Sequence, residues 1–224
     1  DALVEVLAKP KMWVLSLFDA FCARLLTVIE DSETDQEISV FLKAYTKLIS
    51  SSTHNTSPFL NRTFDIIRTR YSETLCNDFL DLIIALLESI KDGLSPYASE
   101  IICLLMDTLS ANHTSDADVC KRVLKAFGLI GLFAFDLLYL VVPKICDIIG
   151  SNQTLDEVRE MSFQTLQTLV KYEEIMACMG VLIRALTTGF SSEHAPTRTE
   201  SMNLLYVLIK GYGKLFLDNA EPLI

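Results

Sequence analysis

SDADVCKRVLKAFGLIGLFAFDLLYLVVPKICDIIG, residues 115–150, holds the pattern whose reading decides the fold. It opens on Ser115-Asp-Ala-Asp118, a hydroxyl three residues ahead of a carboxylate, the arrangement that can satisfy orphan backbone donors at a helix start. From Ala126 to Pro143 run eighteen residues between Lys125 and Lys144 with Asp136 as the only charge, close to membrane-span length. A central aspartate costs roughly 2.5 to 3.5 kcal/mol on insertion scales. The stretch is therefore read as a hairpin of two core helices with Asp136 in the turn. Pro143 is expected to open the second helix, because proline is tolerated in a first turn and resisted in an interior.

Working outward, the same start signal recurs at Thr34/Glu37, Thr154/Glu157 and Thr197/Glu200, and Ser72 with Glu73 fills the missing place. These first-helix starts, near 34, 72, 115, 154 and 197, are separated by 38, 43, 39 and 43 residues. Prolines make a second ladder: Pro10, Pro58, Pro96, Pro143 and Pro222 stand 48, 38, 47 and 79 residues apart, the last gap holding a proline-less unit near Gly180. Second helices are expected near 10, 58, 96, 143, 180 and 222. The period is that of HEAT or armadillo units. The expectation is an all-α solenoid of antiparallel helix pairs, about five repeats in a single array over residues 1–224, cut from a longer chain.

Helical periodicity within the units agrees: Leu75, Phe79, Leu82, Leu86 and Ile90 share one face, as do Met202, Leu205, Ile209 and Tyr212. Leu80 to Leu87 and Leu124 to Leu140 are apolar beyond one stripe, which suits helices packed on a partner and on neighbouring repeats. Gly128 and Gly131 permit close helix packing, and Gly211-Tyr-Gly213 reads as a helix C-cap.

Half of the 224 residues are hydrophobic and only eight are glycine, so a sizeable core can form. The net charge of -10 argues against nucleic acid, whose binding is built from clustered lysine and arginine. The six cysteines are widely spaced with no Cys-x-x-Cys pair and read as reduced core residues. His54, His113 and His194 fall in separate connections and read as exposed loop residues, not metal ligands. No phosphate-cradling glycine loop, Gly-x-Ser-x-Gly elbow, His-Glu-x-x-His pair or kinase signature is present. Neither a catalytic residue nor a cofactor or metal site is expected. The acidic run Glu30, Asp31, Glu33, Asp35 and Glu37 lacks the ordered spacing of a calcium loop and is the candidate protein-binding surface, with the 110–118 and 191–197 connections as further candidates.

From about residue 58 onward, Ser57-Pro58-Phe59-Leu60, Ser95-Pro96-Tyr97-Ala98-Ser99-Glu100-Ile101, Asp136-Leu-Leu-Tyr139-Leu140-Val-Val-Pro143 and Thr199-Glu200-Ser201-Met202-Asn203-Leu204-Leu205 followed by Gly213-Lys214-Leu215-Phe216 stand in an order that resembles the HEAT solenoid of the TOR-type serine/threonine kinases. Residues 1–57 match poorly, and Cys178-Met179-Gly180 stands where the family usually carries a proline. The resemblance implies a non-catalytic scaffold in the N-terminal solenoid of such a kinase, with the catalytic domain elsewhere. Implied partners are a companion subunit and a second copy of the parent, in a cytoplasmic complex that controls growth and is recruited to endomembranes. The alternative is a free-standing HEAT-repeat adaptor or transport receptor with no kinase attached. A microtubule-binding array fits the length, but such arrays present basic turn residues, which this chain lacks.

Overall fold

The computed structural model describes residues 12–51 and 56–217. They form ten α-helices: α1 Met12–Asp31, α2 Asp35–Ser51, α3 Leu60–Arg70, α4 Cys76–Ile90, α5 Ala98–Asn112, α6 Ala117–Ile130, α7 Leu138–Gly150, α8 Asp156–Leu169, α9 Met179–Phe190 and α10 Ala195–Leu217. Short 3-10 turns at 57–59, 91–97, 135–137 and 173–178 lead into α3, α5, α7 and α9. No strand occurs among the described residues.

The even-numbered helices start at residues 35, 76, 117, 156 and 195, so the intervals are 41, 41, 39 and 39. These intervals are more uniform than the sequence signals alone suggest, because some signals sit off the true start. Thr34 does cap α2, its hydroxyl accepting from the Glu37 amide at 3.3 Å. For α6 the cap is Asp116, which accepts from the Val119 amide at 2.9 Å, not Ser115. Ser72 stands in the turn ahead of α4, where its carbonyl accepts from the Leu75 amide. Thr154 precedes α8 and donates to the Ile148 carbonyl instead of capping, and Thr197 lies buried inside α10. A short polar side chain with a competing acceptor in reach leaves the cap position to its neighbour.

Of the proline signals, Pro58 and Pro96 fall in the 3-10 turns just before α3 and α5, and α9 begins at Met179. Pro143 does not open a helix: α7 begins at Leu138 and holds the proline in its interior. Tyr139, whose carbonyl loses its i+4 donor there, is 55% exposed, so water can take the donor's place. Pro10 and Pro222 lie outside the described residues. Asp136 sits exposed in the 3-10 turn between α6 and α7, and no described helix is long and apolar enough to cross a membrane.

The chain forms two compact units, Asp1–Ser95 and Pro96–Ile224. In the first, α1 packs on α2 and α3, and α2 packs on α4. Phe79 and Leu80 through Leu87 bury α4 nearly all round, apart from Asp81. Each leucine, isoleucine or phenylalanine among them, fully removed from water, contributes about 1.5 to 3 kcal/mol. In the second, α5–α6, α7–α8 and α9–α10 are adjacent pairs; α6, α8 and α10 lie side by side, as do α5, α7 and α9.

Hydrogen bonds that join distant segments within a unit reach about one repeat along the chain. Arg62 to Glu30 spans 32 residues, Thr74 to Asp35 spans 39, Thr154 to His113 spans 41 and Tyr212 to Val170 spans 42.

The buried face of α10 differs from the expected one. Leu204 and Leu208 are fully buried with Thr197 and Ser201, whereas Met202 is 57% and Ile209 42% exposed. The cause is lack of space. A β-carbon on Gly189 of α9 would lie 2.5 Å from Ser201 Cβ and 2.5 Å from Phe163 Cζ, so only a small residue fits where α8, α9 and α10 converge. Polar residues thus occupy two core positions, with the Ser201 hydroxyl returned to the Arg198 carbonyl at 2.8 Å. Gly213 ends the regular helix as the C-cap reading expects: its φ of 46° and ψ of -116° are non-helical and break the run from Ala195 to Leu217 there. Just before the break, the Tyr212 hydroxyl donates to the carbonyls of Val170 and Tyr172 at 2.5 and 3.0 Å.

Candidate protein-binding surfaces

The acidic run lies at the α1–α2 connection, and its five carboxylates do different things. Glu30, on the last turn of α1, is held by Arg62 of α3: Nε and Nη2 reach its two oxygens, each at 2.5 Å. The same guanidinium donates to Thr27 Oγ1 at 2.8 Å and to the Ala23 carbonyl at 3.2 Å, and Arg70 donates to the Glu30 carbonyl at 2.6 Å. The paired hydrogen bonds from Arg62 hold the Glu30 carboxyl below its ordinary range. Asp35, in the first turn of α2, accepts from the Thr74 hydroxyl ahead of α4. Both therefore join helices inside the first unit. Asp31, Glu33 and Glu37 are exposed, as is Asp35 despite its bond to Thr74.

The connections at 113 and 194 are tied down in a way their sequence did not announce. Both histidines are half-buried, and each faces a buried threonine: His113 Nδ1 lies 3.0 Å from Thr154 Oγ1, and His194 Nδ1 lies 3.0 Å from Thr197 Oγ1. Because the Thr154 hydroxyl already donates to Ile148 O at 2.7 Å, His113 must supply the proton to it. Burial, with the nearby Lys144 charge, lowers the His113 pKa. The reading of these two as exposed loop residues is thus corrected; His54 lies outside the described residues.

Two arginines that sequence reasoning passed over, Arg159 and Arg198, occupy the fourth positions of α8 and α10. Arg159 donates to the carbonyls of Ile149, Ser151 and Thr154 and to Asp156; Arg198 donates to the carbonyls of Ser192 and Glu193. Their spacing of 39 residues was the available signal.

A further surface is a groove of about 590 Å³ between α6 and α8. Its apolar part comes from Leu124, Leu129 and Leu132 on one side and Met161 on the other, with Gly128 between the helices. A β-carbon on Gly128 would press Thr168 Oγ1 at 3.3 Å. Lys121, Lys125 and Lys171 line it as well, and no aspartate or glutamate does. The ammonium of Lys171 also lies 4.9 Å from the centre of the Tyr172 ring. Sequence reading missed this site because its two walls come together only when α6 and α8 lie side by side.

No group of three histidine, cysteine or acidic side chains able to hold a metal occurs among the described residues. Cys22, Cys76, Cys120, Cys146 and Cys178 are buried thiols outside any disulfide and Cys103 is an exposed one. Burial, helped by the Asp19 charge, pushes the Cys22 thiol up to about 12, far from a reactive thiolate. No family model, curated protein or solved structure matches the chain.

Proposed function

We propose that this chain is a non-catalytic helical-repeat scaffold of the HEAT type that binds other proteins, within the solenoid of a TOR-type serine/threonine kinase. The observation that supports it most is the regular return of helix starts at 39 to 41 residues, with joining hydrogen bonds about one repeat long. Units of that kind stack to give extended surfaces for partners. The TOR assignment rests on the resemblance of the Pro58, Pro96 and Asp136–Pro143 segments to that family. On this reading the companion subunit of the kinase complex and a second copy of the parent are the partners, and the complex works in the cytoplasm and at endomembranes. No side chain here takes part in phosphoryl transfer.

A free-standing adaptor or transport receptor is the second reading. The net charge of -10 and the exposed Asp31, Glu33 and Glu37 favour it, since they suit a basic partner.

The test compares the whole polypeptide that carries this sequence with a version lacking residues 58–224, both purified by affinity tag. Loss of a companion subunit with activity toward a small peptide retained supports the kinase scaffold. A whole polypeptide with no kinase activity of its own overturns the TOR assignment and leaves the adaptor.

A further inference from the structure

The geometry points to the α6–α8 groove as a docking site for an acidic amphipathic helix of a partner protein. Three observations carry this. The groove carries apolar side chains along its length, Leu124, Leu129 and Leu132 from the α6 side and Met161 from α8. Lys121, Lys125 and Lys171 line it without a single carboxylate, in a chain whose net charge is -10. Its shape follows the two helices: Lys121 to Leu129 covers about 12 Å at the rise of an α-helix, and Met161 to Thr168 about 10 Å.

A helix laid in such a groove presents apolar anchors at i, i+3 or i+4 and i+7. Its flanks would then meet the lysines, so glutamate or aspartate beside the anchors complements the charge and a basic flank is repelled. The long, two-walled form favours a helix over a compact small molecule. The inference rests on the scaffold reading in taking a protein as the occupant.

The probe is a labelled three-turn peptide with leucine anchors on one face and glutamate on both flanks. It is titrated by fluorescence anisotropy into the intact 224-residue chain at low and high salt. Saturable binding that weakens with salt is expected, with a lysine-flanked counterpart at least about tenfold weaker. Lys121→Glu with Lys171→Glu, both exposed positions, is expected to weaken the acidic peptide about tenfold and to strengthen the basic one, with unchanged circular dichroism. Met161→Glu is expected to abolish binding.

Equal binding of both peptides, indifference to the lysine reversals, or displacement of the peptide by a simple fatty acid at the same stoichiometry overturns the proposal. If the whole polypeptide holds its companion subunit while the acidic peptide fails to bind the unaltered chain, the groove inference falls and the scaffold reading stands. If the peptide binds but the whole polypeptide holds no companion, the scaffold reading falls and the groove remains.

Discussion

The two compact units solve one problem, joining helices a repeat apart, with different chemistry. In the first unit the joint is charged: Arg62 grips Glu30, and both side chains are about one-third exposed, at 36% and 37%. In the second it is made of tight packing and mostly neutral hydrogen bonds: Gly189 against Phe163 and Ser201, His113 to Thr154, Tyr212 to the carbonyls of Val170 and Tyr172. Glu200 supplies a carboxylate there, joined to Gln164 and Gln167 of α8. Burial raises its pKa, but hydrogen bonds from Gln167, Asn203 and Gln164 together outweigh that and leave it lowered. A charged joint tolerates loose geometry and yields to salt, whereas a packed one tolerates neither volume change nor a new charge.

The largest test of that difference is Gly189→Ala. Overpacking costs about 1 to 3 kcal/mol, and the gain in helix propensity returns at most about 1. A clear loss in chemical denaturation is expected, whereas Gly180→Ala, with nothing within 4 Å of its new methyl, is expected to be neutral or slightly stabilising. Equal effects at the two glycines would remove packing as the basis of the second joint.

Arg62→Ala comes next. It takes away every hydrogen bond to the Glu30 carboxylate, and a loss of about 1 to 2 kcal/mol is expected after discounting for exposure. Arg62→Lys should rescue little, since an ammonium cannot reproduce the two-pronged contact. Screening should shrink the effect at high salt, as denaturation in added sodium chloride would reveal, and a salt-independent loss would mean that packing dominates here too.

A smaller effect separates the units by pH. The His113 pKa is lowered from its ordinary 6.5. Its unfolded form therefore takes up a proton first, and the stability tied to neutral His113 is present above about 6.5 and lost as pH falls through the folded value. Glu30 is lowered from 4.5, so its contribution is present above about 4.5 and is lost only at lower pH. Acidification is expected to loosen the second joint before the first. The protection factor of the Leu155 amide, which donates to the His113 carbonyl, should fall as the pH drops below 6.5 in the native chain and lose that dependence in His113→Gln.

The smallest effect belongs to the outer face of α10. Met202→Gln and Ile209→Gln should each change stability by no more than about 0.5 kcal/mol, whereas Leu208→Ala, at a fully buried site, should cost about 2 to 5. Thermal melting of the three variants would show at once which stripe faces the core.

That stripe also marks how far sequence reading reaches. On and just before α4 periodicity found core residues: Leu75, Phe79, Leu82 and Leu86 all lie in the core, and Ile90, the fifth of that face, is half-buried. On α10 the same method selected Met202 and Ile209, because hydrophobicity cannot see that Ser201 is buried for its size. The acidic run was legible as a cluster, yet that Glu30 and Asp35 bind the fold together depends on Arg62 and Thr74, residues 32 and 39 positions away. Of the lysine-lined groove, only the Lys121–Lys125 spacing on α6 was local; its other wall came from α8.

By itself the sequence determined that the chain is helical, that its helices recur at about forty residues, and that most of its core is leucine, isoleucine and phenylalanine. These follow from local propensity and from a hydrophobic period that any window of the chain displays. Only the tertiary structure decided where helices truly begin, which polar groups are buried, and which charges are spent inside the fold. Those depend on the space and the partners offered by a neighbouring repeat, and no stretch of sequence shorter than that repeat contains them.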